Sequence, residues 1–165
     1  MSNDVVIRKA GIMEIDTIMK LAETVWPVTY KDILSAEQIS YMMNLFYSEA
    51  SLREQFSKHT FLIVYLAGEP VGFASYSVTG ESVYKLHKLY ILTSIQGRGL
   101  GRALINFIIT ALQLSGGTAL ELNVNRNNEA KMFYERLGFE VFREEDIDIG
   151  NGYWMNDYVM RLSVF

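Results

Sequence analysis

The sequence predicts an α/β fold in which about four helices flank a mixed, mostly antiparallel central sheet of about seven strands. Strand-like and helix-like runs follow one another in the order β, α, α, β, β, β, α, β, α, β, β, with no repeat or linker between them. Half of the 165 residues are hydrophobic, which is enough for one sizeable core. We therefore expect residues 1–165 to form a single domain.

The N-terminal third predicts one strand and two helices. Residues 5–10 form a β-prone apolar run, and residues 12–25 place apolar side chains at helical spacing. Pro27 should end this first helix because proline has no backbone N–H. Ser35 is a good N-cap for a second helix over residues 36–47.

The middle of the chain predicts a hairpin, a further strand and a long helix. Residues 61–66 and 71–78 are apolar runs on either side of the turn at residues 68–70, as in a β-hairpin. Residues 83–91 form the next strand, and residues 103–114 form a strongly apolar helix.

The C-terminal part predicts a strand, a helix and two final strands. Residues 119–124 suit a buried strand, and residues 128–137 suit a helix. The last strands are expected over residues 139–142 and 153–164, with the acidic segment 143–151 as the link between them.

Charge and residue types exclude several classes of function. The net charge of −4 argues against nucleic acid as the main partner. The chain has no cysteine, which excludes disulfides, thiolate metal sites and cysteine nucleophiles. Neither a signal peptide nor an apolar run of the ~20 residues that span a membrane is visible, so we expect a cytoplasmic protein without a membrane partner.

Residues 96–102, Gln-Gly-Arg-Gly-Leu-Gly-Arg, join a strand to a helix and contain three glycines. Glycine lets the backbone approach a ligand, and a helix N-terminus attracts negative charge, so this loop predicts a phosphate or pyrophosphate site. A Walker A loop would need Lys and Ser or Thr after Gly101, where Arg102 and Ala103 stand. A dinucleotide fingerprint would need glycine at Arg102.

The pattern that remains, Gln96 with Gly99 and Gly101, resembles the acetyl-CoA loop of the GNAT superfamily of N-acetyltransferases. Residues 127–139 are similar to the second signature of that family, with an Asn, an Ala, a Tyr-Glu pair and a terminal Gly-Phe. The resemblance covers residues 61–165. It implies the GNAT fold and transfer of acetyl from acetyl-CoA, the co-substrate, to a primary amine without a metal.

The resemblance also implies how the donor is bound. Backbone groups at the end of the fourth strand would pair with the pantetheine arm as a neighbouring strand would. N–H groups of residues 97–102 would hold the pyrophosphate. Arg98 and Arg102 could add charge, but both are equally consistent with solvated surface charge. The implied cofactor-binding residues are Leu89, Tyr90, Ile91, Gln96, Gly97, Arg98, Gly99, Leu100, Gly101, Arg102, and Asn127 or Asn128, which a one-residue ambiguity in the turn leaves open.

Tyr134 matches the tyrosine of the family that protonates the departing CoA thiolate or hydrogen-bonds to its sulfur. Without the resemblance, a core tyrosine on an amphipathic helix would be the simpler interpretation. Some relatives carry a glutamate base where this chain has Asn123, which cannot accept a proton. His87 is then our candidate base because its pKa range suits the task, with Glu121 or a water chain as alternatives. Direct attack of the amine on the thioester is the economical mechanism.

The sequence leaves the acceptor open. Aromatic and methionine side chains in residues 26–47 could line an apolar or cationic pocket, or could be core and dimer surface. The acidic residues of the C-terminal hairpin could attract an amine or could be a solvated loop. We expect a polyamine-like or amino-acid-like small amine. The alternatives are a protein N-terminus or lysine, and an acyl-CoA sensor without turnover; a homodimer is compatible with the apolar composition. The residues concerned are Trp26, Tyr30, Tyr41, Met42, Met43, Phe46 and Tyr47 in the early helices, and Glu145, Asp146, Asp148 and Asp157 in the hairpin.

Overall fold

The computed structural model describes residues 4–165, which contain seven strands and five α-helices. In chain order these are β1 (Val5–Lys9), α1 (Ile15–Tyr30), α2 (Ala36–Tyr47), α3 (Glu49–Phe56), β2 (Thr60–Leu66), β3 (Glu69–Val78), β4 (Val83–Ile91), α4 (Leu100–Leu114), β5 (Ala119–Asn125), α5 (Ala130–Arg136), β6 (Glu140–Gly150) and β7 (Tyr153–Ser163). Short 3-10 turns precede α1 (Ile12–Glu14) and α4 (Thr93–Ile95).

The strands form one sheet in the order β1-β2-β3-β4-β5-β7-β6. β4 and β5 pair in parallel, while β1 with β2, β2 with β3, β5 with β7 and β6 with β7 pair antiparallel. The predicted mixed, mostly antiparallel α/β class is confirmed. The chain divides into two compact units, and the expectation of a single domain stays a prediction.

The first unit comprises the chain up to residue 77 and residues 88–108. β2 is central among its first three strands because it pairs with β1 on one side and β3 on the other, which confirms the predicted hairpin. Phe61 of β2 is buried and stacks on Phe56 of α3, with ring centroids 4.2 Å apart. α2 has its predicted bounds, and the Ser35 hydroxyl accepts the N–H of Gln38 at 3.1 Å.

Two predictions about the N-terminal helices are wrong. Pro27 does not end α1, which continues to Tyr30. Pro27 removes one helical hydrogen bond, but Trp26 and Tyr30 are buried on the same turn, and their burial offsets the loss. α3 was not expected, since its eight residues are too few for a clear helical period.

Across the described residues, none of the helices is long and apolar enough for a bilayer crossing.

The second unit comprises residues 78–87 and 109–165. β5 pairs in parallel with β4, residues 119–122 against residues 83–86, and pairs antiparallel with β7. The expectation that residues 143–151 form a link is wrong, because β6 runs through them to Gly150 and pairs with β7 along its length. Asn151 and Gly152 alone separate the paired Gly150 and Tyr153, and an Asn-Gly pair is a strong hairpin signal in a sequence.

Candidate active site

The glycine loop lies in the first unit, between β4 and α4. Gly97 has φ of +87° and Gly99 has φ of +77°, in the left-handed region that glycine adopts without strain. A Cβ added at either position would meet no heavy atom within 4 Å. The backbone conformation, and not lack of space, therefore requires glycine at these two positions.

α4 begins at Leu100, three residues earlier than the sequence predicted at residue 103. Leu100 is buried and anchors the first turn, and the N–H of Ala103 bonds to the carbonyl of Gly99 at 3.0 Å. The N–H groups of a first helical turn have no acceptor within the helix and carry its positive end. Residues 100–102, predicted as loop, thus offer N–H groups as a helix N-terminus, and both Arg98 and Arg102 are exposed.

The end of β4 brings together several residues that the sequence predicts to bind the acetyl donor. The side chain of Gln96 turns back to the end of β4, where its Nε2 donates a hydrogen bond to the carbonyl oxygen of Ile91 at 3.2 Å. The N–H of Leu92 bonds to the carbonyl of Val71 at 2.9 Å. Beside it, an added Cβ on Gly72 would lie 2.7 Å from the carbonyl oxygen of Tyr90. The backbone of residues 90–92 is therefore fixed by its neighbours.

An aromatic cluster packs around the side chain of Tyr90. The hydroxyls of Tyr90 and Tyr30 are 2.9 Å apart and hydrogen-bonded. The ring of Trp26 lies 4.6 Å from that of Tyr30 and 5.9 Å from that of Tyr90, between centroids. Trp26 donates its Nε1–H to the hydroxyl of Tyr47 at 3.2 Å. Burial raises the pKa of Tyr47 well above its ordinary value, so its phenol stays neutral.

Lys88 is a cation in this apolar neighbourhood that the sequence did not predict as a site residue. Its Nζ lies 4.9 Å from the ring centroid of Tyr47 and 5.7 Å from that of Phe46. Burial lowers the pKa of Lys88 to about 8. Within the part of the chain that the structure describes, no carboxylate pairs with this ammonium. No signal in the sequence singles out Lys88, because β4 also contains Lys85 and His87.

In the second unit, Asn123 joins two carboxylates. Its Nδ2 donates to Oε1 of Glu145 at 3.1 Å and to Oδ2 of Asp157 at 3.2 Å. Burial raises the pKa of Asp157, although the bond from Asn123 and the charge of Lys85 oppose that rise. The pKa of Glu145 is lowered, chiefly by the bond from Asn123 and by Arg143. Asn123 lacks a basic atom but positions two groups that have one.

The other proposed bases differ in their surroundings. Oε2 of Glu121 lies 2.9 Å from Nε of Arg161, its register partner on β7, and its role as an alternative base stays a prediction. His87 is partly buried on β4. Its role as base stays a prediction.

Tyr134 lies on α5 and is 7% exposed. Its ring centroid is 5.6 Å from that of Phe139. The side chain of Asn128 accepts the N–H of Ala130 at 2.9 Å, while Asn127 leaves its side chain exposed. The Asn128 side chain thus caps the start of α5, and the cofactor contact by Asn127 or Asn128 stays a prediction.

Comparison with known proteins identifies the family. A family model described as an acetyltransferase (GNAT) domain matches residues 30–162. An uncharacterized N-acetyltransferase of Methanocaldococcus jannaschii is 33% identical over an alignment of length 87 that covers 48% of this chain and 38% of that protein. The spermidine N(1)-acetyltransferase of Thermoplasma acidophilum is 26% identical over an alignment of length 149 that covers 86% of this chain and 90% of that one.

Among solved structures, the fold is similar to that of the PaiA N-acetyltransferase from Thermoplasma acidophilum in complex with coenzyme A. The TM-score is 0.82 at 24% sequence identity, over 96% of this chain and 98% of that one. The chain therefore belongs to the GNAT acetyltransferase family and is an acetyl-CoA-dependent N-acetyltransferase.

Proposed function

We propose that this enzyme transfers the acetyl group of acetyl-CoA to the primary amine of a small molecule by direct attack. The observation that carries the proposal is the loop before α4, where Gly97 and Gly99 adopt positive φ and the helix N-terminus follows at once. Backbone N–H groups and the positive end of a helix are suited to a pyrophosphate. The family match over residues 30–162 supports acetyl-CoA as the molecule that carries it.

In this proposal the donor lies along residues 89–91 and 96–102. The backbone of Leu89, Tyr90 and Ile91 pairs with the pantetheine amides. The bond from Gln96 to the Ile91 carbonyl supports this by holding that carbonyl in place before the donor arrives. The positioned thioester then meets the amine at high effective concentration, which supplies much of the rate.

The reaction removes two protons from the alkylammonium and delivers one to the CoA sulfur. A free alkylamine has a pKa of about 10.4, so at neutral pH it must first lose a proton, and we propose that His87 accepts it. The amine nitrogen then bonds to the thioester carbon, the C–S bond breaks, and CoA leaves as a thiolate. Tyr134 donates its phenolic proton, or a hydrogen bond, to that sulfur. The nitrogen releases its second proton to solvent, and a proton from solvent restores Tyr134 after it has protonated the sulfur.

Tyr134→Phe tests the proposal, since it removes the hydroxyl and keeps the buried ring. We expect kcat to fall by about 10²-fold, within the range of general-acid effects, with little change in KM for acetyl-CoA. Thiol release from acetyl-CoA is measured with polyamines, amino acids and peptides as acceptors. Tyr153→Phe, in β7, is the control for the loss of a phenol as such.

The same set of acceptors also distinguishes small-molecule acetylation from protein acetylation and from acyl-CoA binding without turnover. Turnover confined to peptides would favour a protein N-terminus or lysine as the acceptor. Binding of acetyl-CoA by the folded chain without thiol release from any acceptor would favour an acyl-CoA sensor and overturn the proposal. Cytoplasmic location remains part of the proposal, and fractionation of cells that express the chain tests it.

A further inference from the structure

The ammonium of Lys88 is held by aromatic faces and not by an anion. Nζ lies 4.9 Å from the centroid of the Tyr47 ring and 5.7 Å from that of Phe46, both on α2. Among residues 4–165 it has no carboxylate partner, and the pKa of Lys88 falls to about 8 through burial alone. At neutral pH the side chain is still mostly protonated, so the first unit keeps a positive charge in partly apolar surroundings.

This arrangement is unfavourable for stability. Removing an ammonium from water is expensive unless a counter-charge or several hydrogen bonds replace the water. A cation–π contact returns only part of that loss. A methionine of similar length would fill the same space without the penalty, so a lysine here is a candidate for function at the expense of stability.

The position of Lys88 links it to the reaction. It lies on β4 directly before Leu89, the first of the residues that we propose for the donor. The adjoining aromatic cluster is tied together by hydrogen bonds from Trp26 to Tyr47 and between Tyr30 and Tyr90. Trp26, Tyr30 and Tyr47 are buried, whereas Lys88 is partly exposed. An incoming molecule can therefore reach an unpaired cation that lies against largely apolar rings.

We propose that Lys88 binds a carboxylate on the acceptor, which makes the acceptor an amino-acid-like amine and not a polyamine. This inference rests on the proposed function and narrows its substrate class. A carboxylate would supply the counter-charge that Lys88 lacks and a charge-assisted hydrogen bond. A polyamine would instead bring further positive charge toward a fixed cation, which is unfavourable.

The test compares acceptors that differ only in the carboxylate. Each of a series of aromatic and aliphatic amino acids is paired with the amine that lacks its carboxylate, for example L-phenylalanine with phenethylamine, and spermidine is included. We expect kcat/KM to be at least tenfold higher for the amino acid in the preferred pair. In Lys88→Met the ratio of kcat/KM between the amino acid and its amine should fall to near one, because KM for the amino acid rises. Lys88→Arg should retain part of the preference.

Lys20→Met is the matched control because it removes one exposed lysine of α1 and the same charge. The ratio should be unchanged in this variant. A second readout is independent of turnover: 3-phenylpropionate, which has the carboxylate but no amine, should raise the Tm of the wild type and not that of Lys88→Met. Lys88→Met should also be more stable than the wild type, whereas loss of a purely structural lysine would lower stability.

The outcomes separate the inference from the proposed function. A higher kcat/KM for spermidine, or for the amine of each pair, would overturn the inference while leaving the acetyltransferase activity intact. So would a Lys88→Met variant in which kcat/KM falls equally for the amino acid and for its matched amine. Binding of acetyl-CoA without turnover of any amino acid would also count against the inference. Absence of acetyl-CoA binding by the folded protein, measured by calorimetry, would instead overturn the proposed function.

Discussion

The side-chain amide of Asn123 donates a hydrogen bond to Oδ2 of Asp157 at 3.2 Å, which links β5 to β7. Asp157 is 3% exposed, and the second proton of the same amide binds Glu145. One amide therefore serves two carboxylates with opposite pKa shifts, upward for Asp157 and downward for Glu145. These shifts predict opposite pH dependences of stability.

Asp157→Asn should gain stability relative to the wild type as the pH rises. The pKa of Asp157 is raised by burial above its ordinary value of 3.8, so the native state resists ionisation. The free-energy cost of holding a charged Asp157 in the native state is absent below pH 3.8 and is complete only above the raised pKa. An asparagine at this position has no such cost. Urea unfolding between pH 3 and 7 measures the difference in free energy of unfolding. A difference that stays constant with pH would contradict the assignment.

Glu145→Gln should behave in the opposite way. The pKa of Glu145 is lowered by the bond from Asn123 and by Arg143, so its ionised form stabilises the native state above the ordinary value of 4.5. The variant should be less stable than the wild type at pH 7, and the two should converge as the pH falls. Glu144→Gln, on the same strand, is the control, because it removes a carboxylate that has no hydrogen bond from Asn123. If the free energies of unfolding of Glu145→Gln and the wild type converged at high pH instead, the prediction would be refuted.

The sequence predicted the parts of the site that depend on local geometry. Gly97 and Gly99 are recognisable because a strand-to-helix loop of this kind needs positive φ, which residue type controls directly. Lys88 and the link from Asn123 to Asp157 were not predicted. Their roles depend on which side chains α2 and β7 bring alongside, and no pattern along the chain gives that register.

The same distinction applies to the fold. The order and bounds of α2 and β4 followed from apolar period and capping. α1 passes through Pro27 because burial of neighbouring aromatic rings outweighs a local preference. Most of β6 has the sequence pattern of a loop because its exposed positions are acidic, although Asn151 and Gly152 mark the hairpin.

Gly99→Ala should weaken donor binding more than it weakens the fold. No atom lies within 4 Å of the added Cβ, so the effect is conformational strain at φ of +77°, about 1 kcal/mol. Relief of that strain would turn the N–H groups before α4 away from the pyrophosphate and raise KM for acetyl-CoA several-fold. Gly11→Ala is the control, because its Cβ also meets nothing and its φ is −99°. Equal KM values in both variants would argue against this loop as the pyrophosphate site.

Gly72→Ala should be strongly destabilising and should also disturb the donor strand. The added Cβ would lie 2.5 Å from Cδ1 of Ile91 and 2.7 Å from the carbonyl oxygen of Tyr90. The side chain of Ile91 can rotate away, but the Tyr90 carbonyl is part of the backbone of β4, so the two strands must separate. We expect a loss of about 2–3 kcal/mol in free energy of unfolding, as for overpacked cores.

The control for this change is Gly80→Ala, whose Cβ would make one ordinary contact of 3.8 Å with Val83. It should unfold within about 0.5 kcal/mol of the wild type, as surface changes usually do. Because residues 89–91 are proposed to pair with the pantetheine arm, Gly72→Ala should also raise KM for acetyl-CoA under conditions in which it remains folded. Reduced stability with an unchanged KM would show that the strand tolerates the shift, and would move donor binding away from the backbone of Tyr90 and Ile91.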